Sequence, residues 1–439
     1  MSFKEFQPYP KYKDSGVEWL GKVPEHWDVK RLKYSATIND EALPETTDPA
    51  LELTYVDISS VDAIEGIVAN EEMIFENAPS RARRIIRDGD TIISTVRTYL
   101  RAIAPIRSPR LNTIVSTGFA VVRPRNVKPS FMSYALRESG FVEAIVTRSV
   151  GVSYPAINSS EIGNIPFELP PSDEQLSIVS FLDQETSRID TLISEKERLI
   201  SLLQEYRQAL ISHAVTKGLD PKVKMKDSGV EWLGEIPEHW EIVPVKGVAT
   251  CNDDVLDETT DEDFEIEYVE ISGVDAYRGI VDTTVLPFGK APSRARRRIQ
   301  KGDILVSTVR TYLRAIASVH QLPDNMIAST GFAVIRPRSI ESAFLGYLFH
   351  AEYIMAEIIA RSVGVSYPAI NANELMRLTI PLPLAPEQIS IASFLDREAS
   401  RIDTLISGAR KFIDLLKEYR SSLITAAVIG KIDVRGYHV

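Results

Sequence analysis

The sequence predicts an α+β protein in which one unit is written twice, each copy a mixed globular domain followed by a long helix. Three observations predict it: segments that recur at a constant offset of 213 residues, short β-branched runs bounded by Gly, Asp or Pro, and two long amphipathic stretches. At 439 residues the chain exceeds one ordinary core, which suits two or more domains.

KDSGVEWLGKVPEHW from Lys13 matches KDSGVEWLGEIPEHW from Lys226 at thirteen of fifteen positions, and the 25 residues from Ser80 match those from Ser293 at nineteen. STGFAVVRPR from Ser116 meets STGFAVIRPR from Ser329. RSVGVSYPAIN occurs unchanged at Arg148 to Asn158 and at Arg361 to Asn371. A shared offset means shared length and register, as in a tandem duplication.

Within each copy, LTYVDIS, DTIISTV and GFAVVRP read as strands and PSFMSYALRESGFVEAIV as one packed helix. After ELPPSDEQ the pattern turns helical. Ser172 with Gln175 fits a capping box, and neither Pro nor Gly intervenes before Lys217, giving about 67 Å of helix at 1.5 Å per residue. The second start, PLPLAPEQ, lacks that serine. Gly218 and Gly430 are placed to stop the two helices. Leu182, Ile189, Leu192, Leu199, Leu203, Tyr206 and Leu210 step by threes and fours, as do Leu395, Ile402, Leu405, Phe412, Leu416, Tyr419 and Leu423. These are the seams of a coiled coil, expected to pair the two helices antiparallel under a pseudo-twofold repeat. The domain boundaries follow: 1–170, helix 171–218, 219–383, helix 384–430, and a tail 431–439.

Composition narrows the function. The apolar share is 44% and the charged share 25%, and no apolar run approaches a membrane span, so a soluble cytoplasmic chain is expected. One cysteine, Cys251, and six scattered histidines leave no metal-ligand spacing. A net charge of −11 argues by itself against a nucleic-acid partner. The charge is segregated, however. Residues 39–76 hold eleven acids and no Lys or Arg, whereas 80–125 hold ten arginines against Asp88 and Asp90. Residues 293–338 repeat the split with eight arginines and Lys301 against Asp303 and Asp324. A basic face on an acidic protein is therefore available.

Nucleotide-loop, nucleophile-elbow and zinc-protease motifs are absent. Asp28 and Lys30 resemble a nuclease element only in the first copy, and His26 and His239 read as structural. What remains is binding chemistry. SRARR supplies Arg81, Arg83 and Arg84 and their counterparts Arg294, Arg296 and Arg297, guanidinium forks suited to phosphate or guanine edges. STVRTYLR supplies Arg97, Thr98, Tyr99 and Arg101, matched by Arg310, Thr311, Tyr312 and Arg314; as a strand it would align its two arginines and tyrosine on one face. The competing reading is salt-bridging to the acidic segment. GVSYPAIN, with Gly151, Ser153, Tyr154 and Asn158, has the composition of a close-approach loop and equally of a plain turn.

Taken in order, SGVEWLGxxPxHW, GDTIIS or GDILVS with its arginine segment, STGF, GVSYPAIN, PPSDEQ or APEQ, and FLDxExSRIDTLIS resemble the specificity (S) subunits of Type I restriction-modification systems. The resemblance spans essentially the whole chain. It implies two target-recognition domains, each reading half of a bipartite double-stranded DNA sequence, held by two antiparallel helices on which two methyltransferase subunits dock. It implies no catalysis by this chain and no cofactor bound by it, S-adenosylmethionine lying on the methyltransferases, with restriction/translocase subunits completing the complex.

The expected DNA contacts are Arg81, Arg83, Arg84, Arg97, Thr98, Tyr99, Arg101, Ser116, Thr117, Ser149, Gly151, Ser153, Tyr154 and Asn158. Their second-copy partners are Arg294, Arg296, Arg297, Arg310, Thr311, Tyr312, Arg314, Ser329, Thr330, Ser362, Gly364, Ser366, Tyr367 and Asn371. Because these side chains are of identical type in both copies, a near-palindromic target is expected, with asymmetry tracing to Ile85 against Arg298, Arg87 against Gln300, Asp88 against Lys301, or the loop after Ala104 against that after Ala317. A stand-alone DNA-binding regulator with a coiled-coil spacer, and a scaffold without DNA contact, are the alternatives.

Overall fold

The computed structural model describes residues 6–62, 66–320 and 325–437. Two compact units emerge: unit 1, Met1–Glu195 with Lys411–Val439, and unit 2, Lys196–Arg410. The divide passes through both long helices, so each unit contains a piece of each.

In unit 1 the β-branched runs form two four-stranded sheets. One orders Ile103–Pro105, Thr91–Ser94, Phe119–Pro124 and Ala36–Ile38, all antiparallel. The other orders Glu71–Ile74, Glu52–Val56, Thr113–Ser116 and Ala82–Ile85, with its middle pair parallel. Alternation along the strands sends Ile93, Ala120 and Val122 into a core with Phe131, Met132 and Phe141, while Ile92 and Val121 meet Val56 and Val115 on the opposite side. The first sheet is thus covered on both faces, which is why Thr91–Ser94 is buried throughout. Unit 2 repeats these strands at the same offset, from Ala249–Cys251 to Phe332–Pro337, with the same strand orders.

The single helix expected after Pro129 is two, Pro129–Ala135 and Ser139–Arg148. Glu138 breaks it: its carboxylate accepts from Gly140 N at 2.8 Å and Phe141 N at 2.7 Å and so caps the second helix. Gly140 lies against Trp19, where a Cβ would come within 2.5 Å of the indole.

The long helices span Ser172–Lys217 and Ala385–Val428. The capping-box reading of Ser172 and Gln175 is corrected. The Gln175 side chain accepts from Lys128 N at 2.9 Å and donates to Pro170 O at 2.9 Å. Gln388 does the same with Glu341 N and Pro383 O, both at 2.8 Å, so the second helix starts equally firmly without a serine. Glu174 and Glu387, one residue earlier, receive Trp27 Nε1 at 2.8 Å and Trp240 Nε1 at 3.0 Å, and pair with His26 and His239. The repeated EHW strap is therefore the clamp on a helix start, and its histidines are structural. Gly430 (φ +73°) closes on Pro24 and Trp27 in unit 1, as Gly218 (φ +74°) does on Pro237 and Trp240 in unit 2.

Both helices take part in each unit and run antiparallel there. In unit 1, Asp190 receives Arg420 Nε at 2.9 Å; in unit 2, Asp403 pairs with the buried Arg207. The two pairs are the same pair, offset by 213 with the helices exchanged.

The seam differs in part from the heptad expectation. Leu182, Ile189, Leu395, Ile402, Leu416 and Leu423 are buried. Leu192, Leu203, Leu210, Phe412 and Tyr419 are half-buried. Leu199 (40% exposed), Tyr206 (55%) and Leu405 (51%) face outward, and the neighbouring Arg207, Ile211, Ile406 and Ile413 are buried instead. The buried set keeps the heptad but takes its other flank: Ile402, Ile406, Ala409, Ile413, Leu416 and Leu423 share one seam, and Arg207 lies three heptads and four residues from Leu182.

No single described helix is long and apolar enough to cross a membrane; a bent pair, Ser342–His350 with Glu352–Arg361, passes by composition but supplies core residues of unit 2.

Candidate nucleic-acid interface

Arg97 and Arg101 do not lie on a strand. They flank a one-turn 3-10 helix, Thr98–Leu100, and both are left-handed, at φ 51°, ψ 46° and φ 53°, ψ 32°. Arg310 (φ 50°, ψ 48°) and Arg314 (φ 53°, ψ 35°) bracket Thr311–Leu313 in the same way. Strain of this kind costs about 1–3 kcal/mol per residue and persists only where surroundings enforce it.

The enforcement is visible. Thr98 Oγ1 donates to Ser149 Oγ at 2.7 Å, and Thr95 N and Oγ1 both donate to Gly118 O at 2.8 Å. Isolated bridges join Val96 and Val150 to Ala156, and Ile157 N donates to Thr95 O at 2.9 Å. The turn and the GVSYP hairpin are thereby one body. Gly151, at φ +118°, permits the tight closure, since a Cβ there would sit 3.1 Å from Tyr154 O.

On this body the Arg97 guanidinium lies 5.0 Å from the Tyr154 ring centre, and Arg310 lies 4.8 Å from Tyr367. Tyr99, Tyr154, Tyr312 and Tyr367 are exposed. Neither Arg97 nor Arg310 forms a salt bridge among the described residues. Arg83 and Arg296, on the neighbouring strands, stack on Phe75 and Phe288 at 4.6 and 4.8 Å. Arg84 and Arg297 hold buried Nε atoms without a hydrogen-bond partner, and burial pulls the Arg84 guanidinium below its ordinary pKa.

Other expected contacts are committed elsewhere. Arg81 pairs with Asp57 at 2.7 Å and donates to Tyr55 Oη at 3.1 Å; Arg294 repeats this with Glu270 and Tyr268. Arg101 pairs with Glu143 and Arg314 with Glu352. Arg87, Arg110 and Arg123 pair with Glu41, Glu72 and Asp40, so the acidic segment does neutralise part of the arginine cluster. The expectation that Thr98, Thr311, Ser116 and Ser329 face a ligand is corrected. All four are buried, the threonines holding Ser149 and Ser362, and the serines accepting from Gly118 N and Gly331 N. Asn158 and Asn371 cap the short helices Ser159–Asn164 and Ala372–Met376. Ser149 and Ser362 are half-buried, whereas Thr117, Thr330, Ser153, Ser366 and Gly364 stay at the surface.

The apolar tip was missed by sequence reading. Val150, Val152 and Leu100, with Val363, Val365 and Leu313, are exposed around the arginine–tyrosine stacks. Their only sequence signal is that valines stand in a loop of otherwise small and polar residues. Among the described residues no group of His, Cys, Asp and Glu is placed to hold a metal.

Each unit thus presents the same exposed patch, an arginine stacked on tyrosine with no salt bridge among the described residues, and the chain carries one kind of binding surface twice. The family model of the Type I restriction modification DNA specificity domain matches residues 24–201 and 237–409, and the chain belongs to that family. It is 24% identical to the Type I restriction enzyme MjaVIII specificity subunit of Methanocaldococcus jannaschii, over 94% of this chain and 95% of that one. It is 27% identical to the EcoKI specificity subunit of Escherichia coli over 45% and 44%. The crystal structure of the HsdS subunit from Thermoanaerobacter tengcongensis covers 93% of this chain and 98% of its own at 25% identity and TM-score 0.51. A chain from work on complex assembly of the type I R-M system shares the fold at 23% identity, coverage 93% and 99%, and TM-score 0.71. This chain is a DNA-target specificity subunit, the recognition component and not the catalytic one.

Proposed function

We propose that this chain directs type I methyltransferase and restriction subunits to a bipartite double-stranded DNA target in the cytoplasm, and that the two half-sites are inverted copies of nearly one sequence. The observation that carries it is the identity of the heads in composition and geometry: matching left-handed arginines, and Arg–Tyr stacks at 5.0 and 4.8 Å. Identical donors and acceptors in one conformation select the same base edges. The exchange of helices between the Arg420–Asp190 and Arg207–Asp403 pairs supports inversion, as half-sites are inverted under a symmetric dimer.

S-adenosylmethionine belongs to the methyltransferase partners, two of which dock on the long helices. Support comes from apolar residues left exposed at equivalent positions, Leu176 with Ile389 and Leu202 with Leu415. Restriction/translocase subunits complete the assembly. The test compares the isolated chain with its methyltransferase complex in a gel shift at physiological salt. The complex should bind a bipartite duplex tightly and lose it when the spacer changes by half a turn, while the acidic chain alone binds weakly. Tight, spacer-indifferent binding by the isolated chain would contradict the proposal.

A further inference from the structure

We propose that the Val152 tip, with Val365 in unit 2, reads the C5-methyl group of a thymine in the major groove, beside a guanine read by Arg97 or Arg310. This rests on the DNA-target reading above and assigns one chemical contact within it.

Val152 is 102% exposed and Val365 101%, the values of a side chain touching nothing, and Val150 and Val363 beside them are 80% and 81% exposed. These are not loose loops. Val150 and Ala156 exchange both backbone hydrogen bonds at 2.9 and 3.0 Å, as do Val363 and Ala369, and each hairpin is bridged to the strained arginine turn. A rigid apolar point, held out of the protein identically twice, is built to meet a partner. The partner's charge is indicated by Arg97 and Arg310, which stack on the tyrosines of the same hairpins and face no carboxylate among the described residues.

In the DNA grooves two apolar opportunities exist. Wedging between base steps from the minor groove employs Phe, Leu, Ile, Met or Pro, a set that does not include valine. The thymine methyl lies in the major groove, where arginine also finds guanine O6 and N7. A short branched tip next to an arginine fork fits the second arrangement.

The test uses the methyltransferase complex and duplexes carrying the target found by mapping methylated bases, with each half-site thymine replaced in turn by deoxyuridine, which lacks the methyl group. The wild type should bind about fourfold more weakly when one particular thymine in each half is replaced, the value of one buried methyl group. The V152A/V365A protein should bind both duplexes alike, and V152T/V365T, of nearly the same shape, should also lose discrimination. Three results would overturn the proposal: no thymine sensitive to replacement, the same sensitivity in wild type and variants, or variants that no longer assemble with the methyltransferase, which would make the tip a protein-docking point. A complex without any sequence preference would instead sink the recognition reading itself.

Discussion

Arg97 and Arg310 accept a left-handed backbone that a non-glycine side chain adopts only under constraint, and neither is neutralised by a neighbouring acid among the described residues. Arg97→Ala should weaken binding through one half-site, and Arg310→Ala through the other. Loss of a guanine contact would cost about 1–3 kcal/mol with relaxed specificity, whereas loss of a phosphate contact would lower the salt slope by about one. Titrating each variant complex against both half-site mutants at several salt concentrations separates the two. Of the expected contacts, Arg97 and Tyr154 were singled out because both residue types recur unchanged, and the fold brings them together. Their juxtaposition was not legible, since STVRTYLR has the β-branched look of a strand and only the hairpin bridge forces it into a turn. The buried Thr98 and Ser116 were misread for a related reason: a hydroxyl in a repeated motif serves a fold as readily as a ligand.

Glu168 has no counterpart in the second copy, where Pro381 stands. Burial, and secondarily the Glu138 carboxylate, raise its pKa from an ordinary 4.5 to about 8. The folded state therefore keeps a proton that the unfolded chain releases, and stability falls as pH rises from 4.5 towards 8. Thermal melts of Glu168→Gln should show that decline flattened, with the gain over wild type larger at pH 8 than at pH 5. Equal gains at both would mean the carboxyl is already ionised in the fold.

At the scale of elements, the long helices were legible in length and stop, though not in what fixes their starts: ends at Lys217 and Val428 agree with Gly218 and Gly430. The seam was legible only near the residues that anchor it. Apolar residues stand on both flanks of the Leu182–Ile189 row, and choosing the i+3 flank instead of the i+4 flank assigned Tyr206 the place that Arg207 occupies. The identical SRID and EYR segments carried a better signal, because an Asp and an Arg that recur together on two helices can pair crosswise. Ile406→Ala should cost about 2–5 kcal/mol, whereas the adjacent Leu405→Ala should change stability by about 0.5 kcal/mol or less. Chemical denaturation of both decides between the observed stripe and the one expected through Leu405, which predicts the reverse order.

At the scale of the whole molecule, the duplication was the most legible feature and the most informative. It made two units predictable from an offset, and it turned a local observation about one loop into a statement about the target. What differs between copies lies beside the heads: Arg87 pairs with Glu41 where Gln300 donates to Asp254, and Arg298 pairs with Asp254 where Ile85 is apolar. Residues 321–324 of the divergent loop lie outside the described residues. Asp88, whose carboxylate accepts from Ser108 N at 2.6 Å, is replaced by Lys301. These positions are the ones expected to introduce any single-base asymmetry between the half-sites. The most direct test is to map methylated bases across DNA from cells expressing this chain with its methyltransferase. Modified sites should share a bipartite motif whose halves are inverted repeats, or differ at one position, about a spacer of fixed length and free sequence. A motif with two unrelated halves would contradict the claim that identical heads read identical bases.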